Sequence, residues 1–161
     1  MIVVSDTSPL NYLVLIGHVD VLPILFNRIV APPAVISELL HLGSPPMVRA
    51  WGTTPPSWLE IVRPSKLDPA LKLGAGEAEA ICVARELNAD MLLIDERKAT
   101  AIAHRLGLRV VGTLNVLALA AERQLLDLSS AIAALRQTTF REPTKLVEEL
   151  LKRNAQGRTH R

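Results

Sequence analysis

Short β-branched runs alternate along this chain with longer stretches whose apolar residues recur every three or four positions. Runs rich in Val, Ile and Leu fit a pleated, covered surface. Such runs occur at 2–4, 28–30, 59–62, 91–94 and 109–111. Helical periodicity fills the intervals. Ser8 followed by Pro9 reads as the N-cap and first position of a helix running through 11–15, because proline lacks an N–H that the first turn leaves unpaired anyway. A second pattern covers 19–26. "PAVISELLHL" sets Val35, Leu39 and Leu42 at helical spacing, and "GEAEAICVARELNA" stacks Ala80, Ile81, Ala84 and Leu87. "ERKATAIAHRLG" ends on Gly107, which suits the left-handed position after a helix. "TLNVLALAAERQLL", "LSSAIAALRQ" and "EPTKLVEELLKRN" are further helices. "HLGSPPMVRAWGTTPPSW" reads as an exposed connector, because Pro and Gly break regular structure. Residues 154–161 read as a disordered tail.

Strand alternating with helix predicts an α/β domain with a mostly parallel sheet of about five strands. It spans 1–153, with additional C-terminal helices over 128–153. The 161 residues suffice for one domain with a true core. Apolar runs stay well below the ~20 residues of a membrane span. The N-terminal run has no basic flank and meets Asp6 at once, unlike a signal peptide, so the expected compartment is the cytoplasm. A single cysteine, Cys82, excludes an internal disulfide and a multi-cysteine zinc site.

Charge changes the picture. Residues 1–96 carry 6 Lys/Arg and 11 Asp/Glu, a balance of −5, whereas 97–161 carry 12 and 5, a balance of +7. Such a division suits a domain that holds a cation and attracts a polyanion, and equally a solvated basic surface. In open α/β sheets, sites form beyond the carboxyl ends of strands. Asp6 and Asp95 each end a predicted strand. Glu38 lies in apolar "VISELL", and Glu77 and Glu79 lie near the start of an Ala- and Ile-rich helix. Singly, each acid has an ordinary reading as a cap, a dipole partner or a solvated face. Together they would repel unless a cation sat among them. Hard oxygen ligands suit Mg²⁺ or Mn²⁺, ions that activate water in phosphodiester cleavage. The histidines are scattered outside these motifs.

"VVSDTSPL", "PAVISEL", "LGAGEAEAI", "ADMLLIDERKA" and "GLRVVGTLNVL" occur in that order, and over 1–125 they resemble the PIN domains, in particular the compact VapC-like toxins. The resemblance implies a three-layer α/β/α domain with an acidic pocket for Mg²⁺ or Mn²⁺, and cleavage of single-stranded or structured RNA. It implies catalytic roles for Asp6, Glu38, Glu77 and Asp95, with Asp6, Glu77 and Asp95 as metal ligands. Glu77 lies eighteen residues before Asp95, the interval found in VapC-like members; Glu79 is a neighbour able to substitute. Ser8 and Thr113 match supporting hydroxyl residues. Where many relatives carry another acid after the fourth, Arg97 and Lys98 follow Glu96 here. That leaves one or two metals open and supplies cations to grip RNA phosphate. A homodimer and a neutralising antitoxin are implied as partners. The apolar surface of "TLNVLALAAERQLL" and "PAVISELLHL" would bury either against a second copy or under the C-terminal helices.

Two other readings compete. "VVSDTS" also resembles the opening motif of haloacid dehalogenase-like phosphohydrolases, but the position two beyond Asp6 is Ser8 rather than an acid. A catalytically silent PIN fold acting as a binding or regulatory protein is the other; retention of all four carboxylates argues against it.

Overall fold

The computed structural model describes residues 1–159. All five apolar runs become strands: β1 (Ile2–Ser5), β2 (Arg28–Ala31), β3 (Leu59–Ile61), β4 (Met91–Leu93) and β5 (Val110–Val111). They form one parallel sheet in the order β3-β2-β1-β4-β5. The helices are α1 (Thr7–Leu15), α2 (Leu22–Leu25), α3 (Pro33–Leu39), α4 (Pro46–Thr53), α5 (Ala75–Glu86), α6 (Arg97–Arg105), α7 (Thr113–Glu122), α8 (Leu128–Arg136) and α9 (Thr144–Thr159).

The layers follow from strand geometry, in which successive side chains point to opposite faces. Val3, Ile29, Ala31, Met91 and Leu93 enter one core with residues of α1–α4 and α7–α9. Val4, Val30, Leu92 and Ile94 enter the other, under Ala80, Ile81, Val83 and Ala84 of α5 and Ala99 and Ala103 of α6. Burial on both faces explains why these strands read as continuous apolar runs. The result is the expected three-layer α/β/α arrangement.

Sheet order fixes where a site can form. From central β1 the chain builds outward through β2 and β3, then returns to the other side of β1 for β4 and β5. The order reverses between β1 and β4, and such a switch point leaves a crevice beyond the carboxyl ends of its two strands. Val3, Val4 and Ser5 pair with Met91, Leu92 and Leu93. Asp6 and Asp95 therefore both follow strands that border this crevice.

Several local expectations are corrected. Helix α1 begins at Thr7, so the N-cap position belongs to Asp6 and not to Ser8, and Asp6 makes no side-chain capping bond. Pro9 is tolerated because it still lies in the first turn. The 19–26 pattern divides into a 3₁₀ turn at Val19–Val21 and short α2. The connector contains α4: Pro46 sits at its first position, where no N–H is needed, and Val48 is fully buried. Burying a valine is worth about 1.5–3 kcal/mol, enough to favour a helix that composition disguised. The tail is helical through Thr159, and the Arg158 guanidinium pairs with Asp127, the N-cap of α8; residues 160–161 of that expectation lie outside the described residues. Helix α7 buries Leu114, Val116, Leu117, Ala120 and Ala121 in the core shared with α8 and α9, so this surface is covered within the chain and not by a second copy. Leu42 and Met47, beyond α3, remain exposed. Among the described residues, no single helix is long and apolar enough to cross a membrane.

Candidate metal centre

Asp6 is the most deeply buried acid of the crevice. Its amide donates to the Leu93 carbonyl at 2.9 Å, extending the β1–β4 ladder by one bond. The residue is only 4% exposed. Its Oδ1 is buried and has no hydrogen-bond partner. Burial raises its pKa from 3.8 to about 7; the Thr7 amide opposes this, and the charges of Glu77, Glu38 and Asp95 add to it. All three other expected acids are thus electrostatic neighbours of Asp6.

The neighbours are of two kinds. Asp95 is held by donors from two helices. Its Oδ1 accepts the Thr113 amide at 2.8 Å, and its Oδ2 accepts the Thr113 hydroxyl at 2.7 Å and the Ser8 hydroxyl at 3.1 Å. Thr113 opens α7 and is fully buried, so the positive end of that helix faces a carboxylate. A Cβ at Gly112 would stand 3.0 Å from Asp95 Oδ1, which explains the glycine. Glu38 is held likewise: Thr7 donates its hydroxyl to Oε2, and the Gly76 amide donates to Oε1 at 3.1 Å. A Cβ on Gly76 would come within 2.8 Å of the Glu38 Cδ, so glycine is needed for α5 to approach this carboxylate.

Glu77, by contrast, is only partly compensated. Its pKa is raised, first by burial and then by Glu96 and Glu38, while the Gly74 amide and Lys98 oppose the rise. Glu79 does not join the pocket. Its Oε2 accepts the Ala34 amide at 2.8 Å and so caps the first turn of α3. Glu96 caps α6, accepting the amides of Lys98 at 3.0 Å and Ala99 at 2.8 Å. Arg97 opens α6 and is exposed. The Lys98 ammonium donates to the Lys72 carbonyl at 3.0 Å, tying the segment before α5 to the rim.

The fold thus satisfies two acids and leaves two in want of positive charge. Among the described residues, no group of three or more His, Cys, Asp or Glu side chains is placed to hold a metal ion. The donor chemistry nevertheless fits a hard divalent cation: all the groups are carboxylates, and the buried, unpartnered Asp6 Oδ1 is what such an ion would complete. Residue patterns alone had not pointed to Thr7, Gly76 and Gly112. The available signal was a glycine at the start of an acid-bearing helix, where an alanine would propagate better. The residue two beyond Asp6, where a phosphohydrolase of the haloacid dehalogenase class needs an acid, is a serine that serves Asp95.

A family model described as DUF3368, PIN domain, matches residues 2–156. In fold, the chain is similar to a PilT N-terminus domain protein from the hyperthermophilic archaeon Sulfolobus solfataricus. The two share 21% identity over 73% of this chain and 92% of the other, with a TM-score of 0.51. No curated protein matches the sequence significantly. With its five-stranded parallel sheet and the family match across nearly its full length, the chain belongs to the PIN-domain family and not to the haloacid dehalogenase class.

Proposed function

We propose that the protein is a divalent-metal-dependent endoribonuclease that hydrolyses RNA phosphodiester bonds, and that it acts as the toxin of a toxin–antitoxin pair in the cytoplasm. The PIN domain is a nuclease fold, and its members generally use divalent metals. The single observation that carries the reading is Asp6, a buried carboxylate with an unpartnered oxygen and three further acids around it.

Asp6, Glu77 and Asp95 would hold Mg²⁺ or Mn²⁺, which when bound lowers the pKa of a water and offsets charge developing on the phosphate. The chain's own groups perform the remaining work. Thr113 and Ser8 immobilise Asp95, and Thr7 and Gly76 immobilise Glu38. Pre-positioned acceptors of this kind lose no freedom when the substrate arrives. Glu38 retains lone pairs able to orient a water by accepting its proton in a hydrogen bond. Arg97 and Lys98 offset the repulsion that carboxylates exert on phosphate. Exposed Leu42 and Met47 are the surface on which a homodimer would form, and an antitoxin would neutralise the acidic crevice with a basic side chain.

The reading is tested by incubating RNA oligonucleotides with the protein in Mn²⁺, Mg²⁺ or EDTA, beside the Asp6→Asn variant. Cleavage is expected only for the unaltered chain with metal; cleavage surviving both the substitution and excess EDTA overturns it. Induced expression should arrest growth, and Asp6→Asn should relieve the arrest.

A further inference from the structure

A cavity of about 710 Å³ lies at the β5 edge of the sheet, bordered by residues of α7, α8 and α9. That volume is within the ~300–1,000 Å³ of ordinary ligand pockets. None of Asp6, Glu38, Glu77 and Asp95 lines it. Met91 does, at the amino end of β4, whereas Asp6 and Asp95 follow the carboxyl ends of their strands. We infer that this cavity is a second binding site, for a small amphipathic anion with an aliphatic body and an oxyanion head.

Two features carry the assignment. The first is the apolar lining. Met91, Val111, Ala121, Leu128 and Leu150 are buried in the core and also border the cavity. Leu119 and Leu126 border it half-buried. Among the described residues, no aromatic side chain lines it. A nucleobase would find no ring to stack on there. An aliphatic body instead meets branched side chains and the adaptable thioether of Met91.

The second is positive charge without an internal counterion. Arg109, Arg153 and Arg158 border the cavity, as do Glu122 and Asp127. Asp127 is already satisfied. It accepts the Ser130 amide at 2.9 Å and the Ser130 hydroxyl at 2.7 Å, and it pairs with Arg158. Glu122 is engaged as well. The guanidinium groups of Arg109 and Arg153 have no ion pair among the described residues. Both side chains are exposed, so their charge stands where the cavity meets water. A guanidinium offers a fork of donors that matches carboxylate and phosphate oxygens. The side-chain amides of Asn115, Gln124 and Asn154 are also in the lining and can donate to the same head. A purely apolar ligand would leave these donors unused. A bare inorganic anion would leave the apolar lining in water.

The experiment titrates the full chain with decanoate, decyl phosphate, decylammonium and acetate by calorimetry at fixed ionic strength, and follows the decanoate titration by amide-resolved NMR. Decanoate and decyl phosphate are expected to saturate one site, the tighter of the two naming the head. Decylammonium and acetate should bind at least tenfold more weakly than either. Arg109→Gln with Arg153→Gln should weaken both anions about tenfold, the equivalent of one charge-assisted hydrogen bond. Arg109→Glu with Arg153→Glu should make decylammonium the preferred ligand. Both pairs of substitutions alter exposed side chains, so the fold should be retained, with Tm as the check. Amide shifts should cluster at 118–119, 126–128 and 150–157 and leave Asp6 and Glu77 unmoved. The assignment is overturned by an absence of saturable anion binding, by equal affinity for decanoate and decylammonium, by unchanged anion affinity in the Gln variant, or by shifts confined to other segments. None of these readouts uses RNA, so their failure leaves the ribonuclease reading intact.

Discussion

Asp6→Asn should make the metal-free protein more stable at alkaline pH while abolishing its activity. An acid whose pKa rises from 3.8 to about 7 on folding binds more protons in the native state than in the unfolded chain between those values. Its contribution to stability is therefore present below about pH 4 and is lost as pH rises through about 7. The raised pKa sets an upper limit of about 4 kcal/mol on the cost of the charged group above that range. Asparagine removes the charge but still buries a polar amide, which returns about 1–3 kcal/mol of penalty. A net gain of about 2 kcal/mol remains at pH 8, or roughly 4–8 °C in Tm for a chain of this size. Near pH 5 the native carboxyl is protonated but the unfolded one is already ionised, so only about 1.6 kcal/mol of the cost remains; the buried amide offsets it and the advantage should vanish. Thermal unfolding in EDTA at both pH values measures the effect, and Mn²⁺ should then raise the Tm of the unaltered chain alone, by mass action. If the variant is less stable than the unaltered chain at pH 8 in EDTA, or if the difference is the same at both pH values, the assignment of Asp6 as an uncompensated buried charge is wrong.

Glu77 and Glu79 should separate cleanly. Glu77→Gln is expected to lose cleavage with little loss of stability, while Glu79→Ala should keep cleavage and cost about 0.5–2 kcal/mol through the lost cap on Ala34; parallel cleavage and urea-unfolding assays decide it. Thr113→Val keeps the buried shape but removes the hydroxyl bond to Asp95, so kcat should fall about tenfold and stability by about 2 kcal/mol, measured by steady-state kinetics and denaturation. Replacing Arg97 and Lys98 together by Ala should flatten the salt dependence of RNA binding by about one to two units of slope; an unchanged slope in a fluorescence-anisotropy titration would place these residues away from the RNA. Sedimentation at micromolar concentration should show a homodimer that Leu42→Glu with Met47→Glu dissociates, and a species staying at 17.6 kDa on concentration would remove the dimer.

Local sequence determined the elements and the identity of the acids. The five strands were legible because both faces of the sheet are covered, which turns each strand into an unbroken apolar run such as "MLLI". Asp6 and Asp95 were legible because each interrupts such a run where a helix begins. Helix α4 was not, since its prolines occupy the one part of a helix that tolerates them, and its anchor, Val48, is buried by residues distant in sequence. The end of α9 was hidden for a related reason: a polar, glycine-containing stretch is tied back to the fold by a partner distant in sequence, through the Arg158–Asp127 pair.

What only the tertiary structure decided is how the acids divide. Glu77 and Glu79 are two residues apart on one helix and so point in different directions. Which of them faces the crevice depends on where α3 lies, and the Ala34 amide claims Glu79. Thr7, Gly76, Ser8 and Thr113 become partners of Glu38 and Asp95 only because β1 and β4 are adjacent and four helices begin along one edge of the sheet. A carboxylate's charge is written in the sequence. Its desolvation and its hydrogen-bond donors are properties of the space around it, and these leave Asp6 buried without a partner for one of its oxygens.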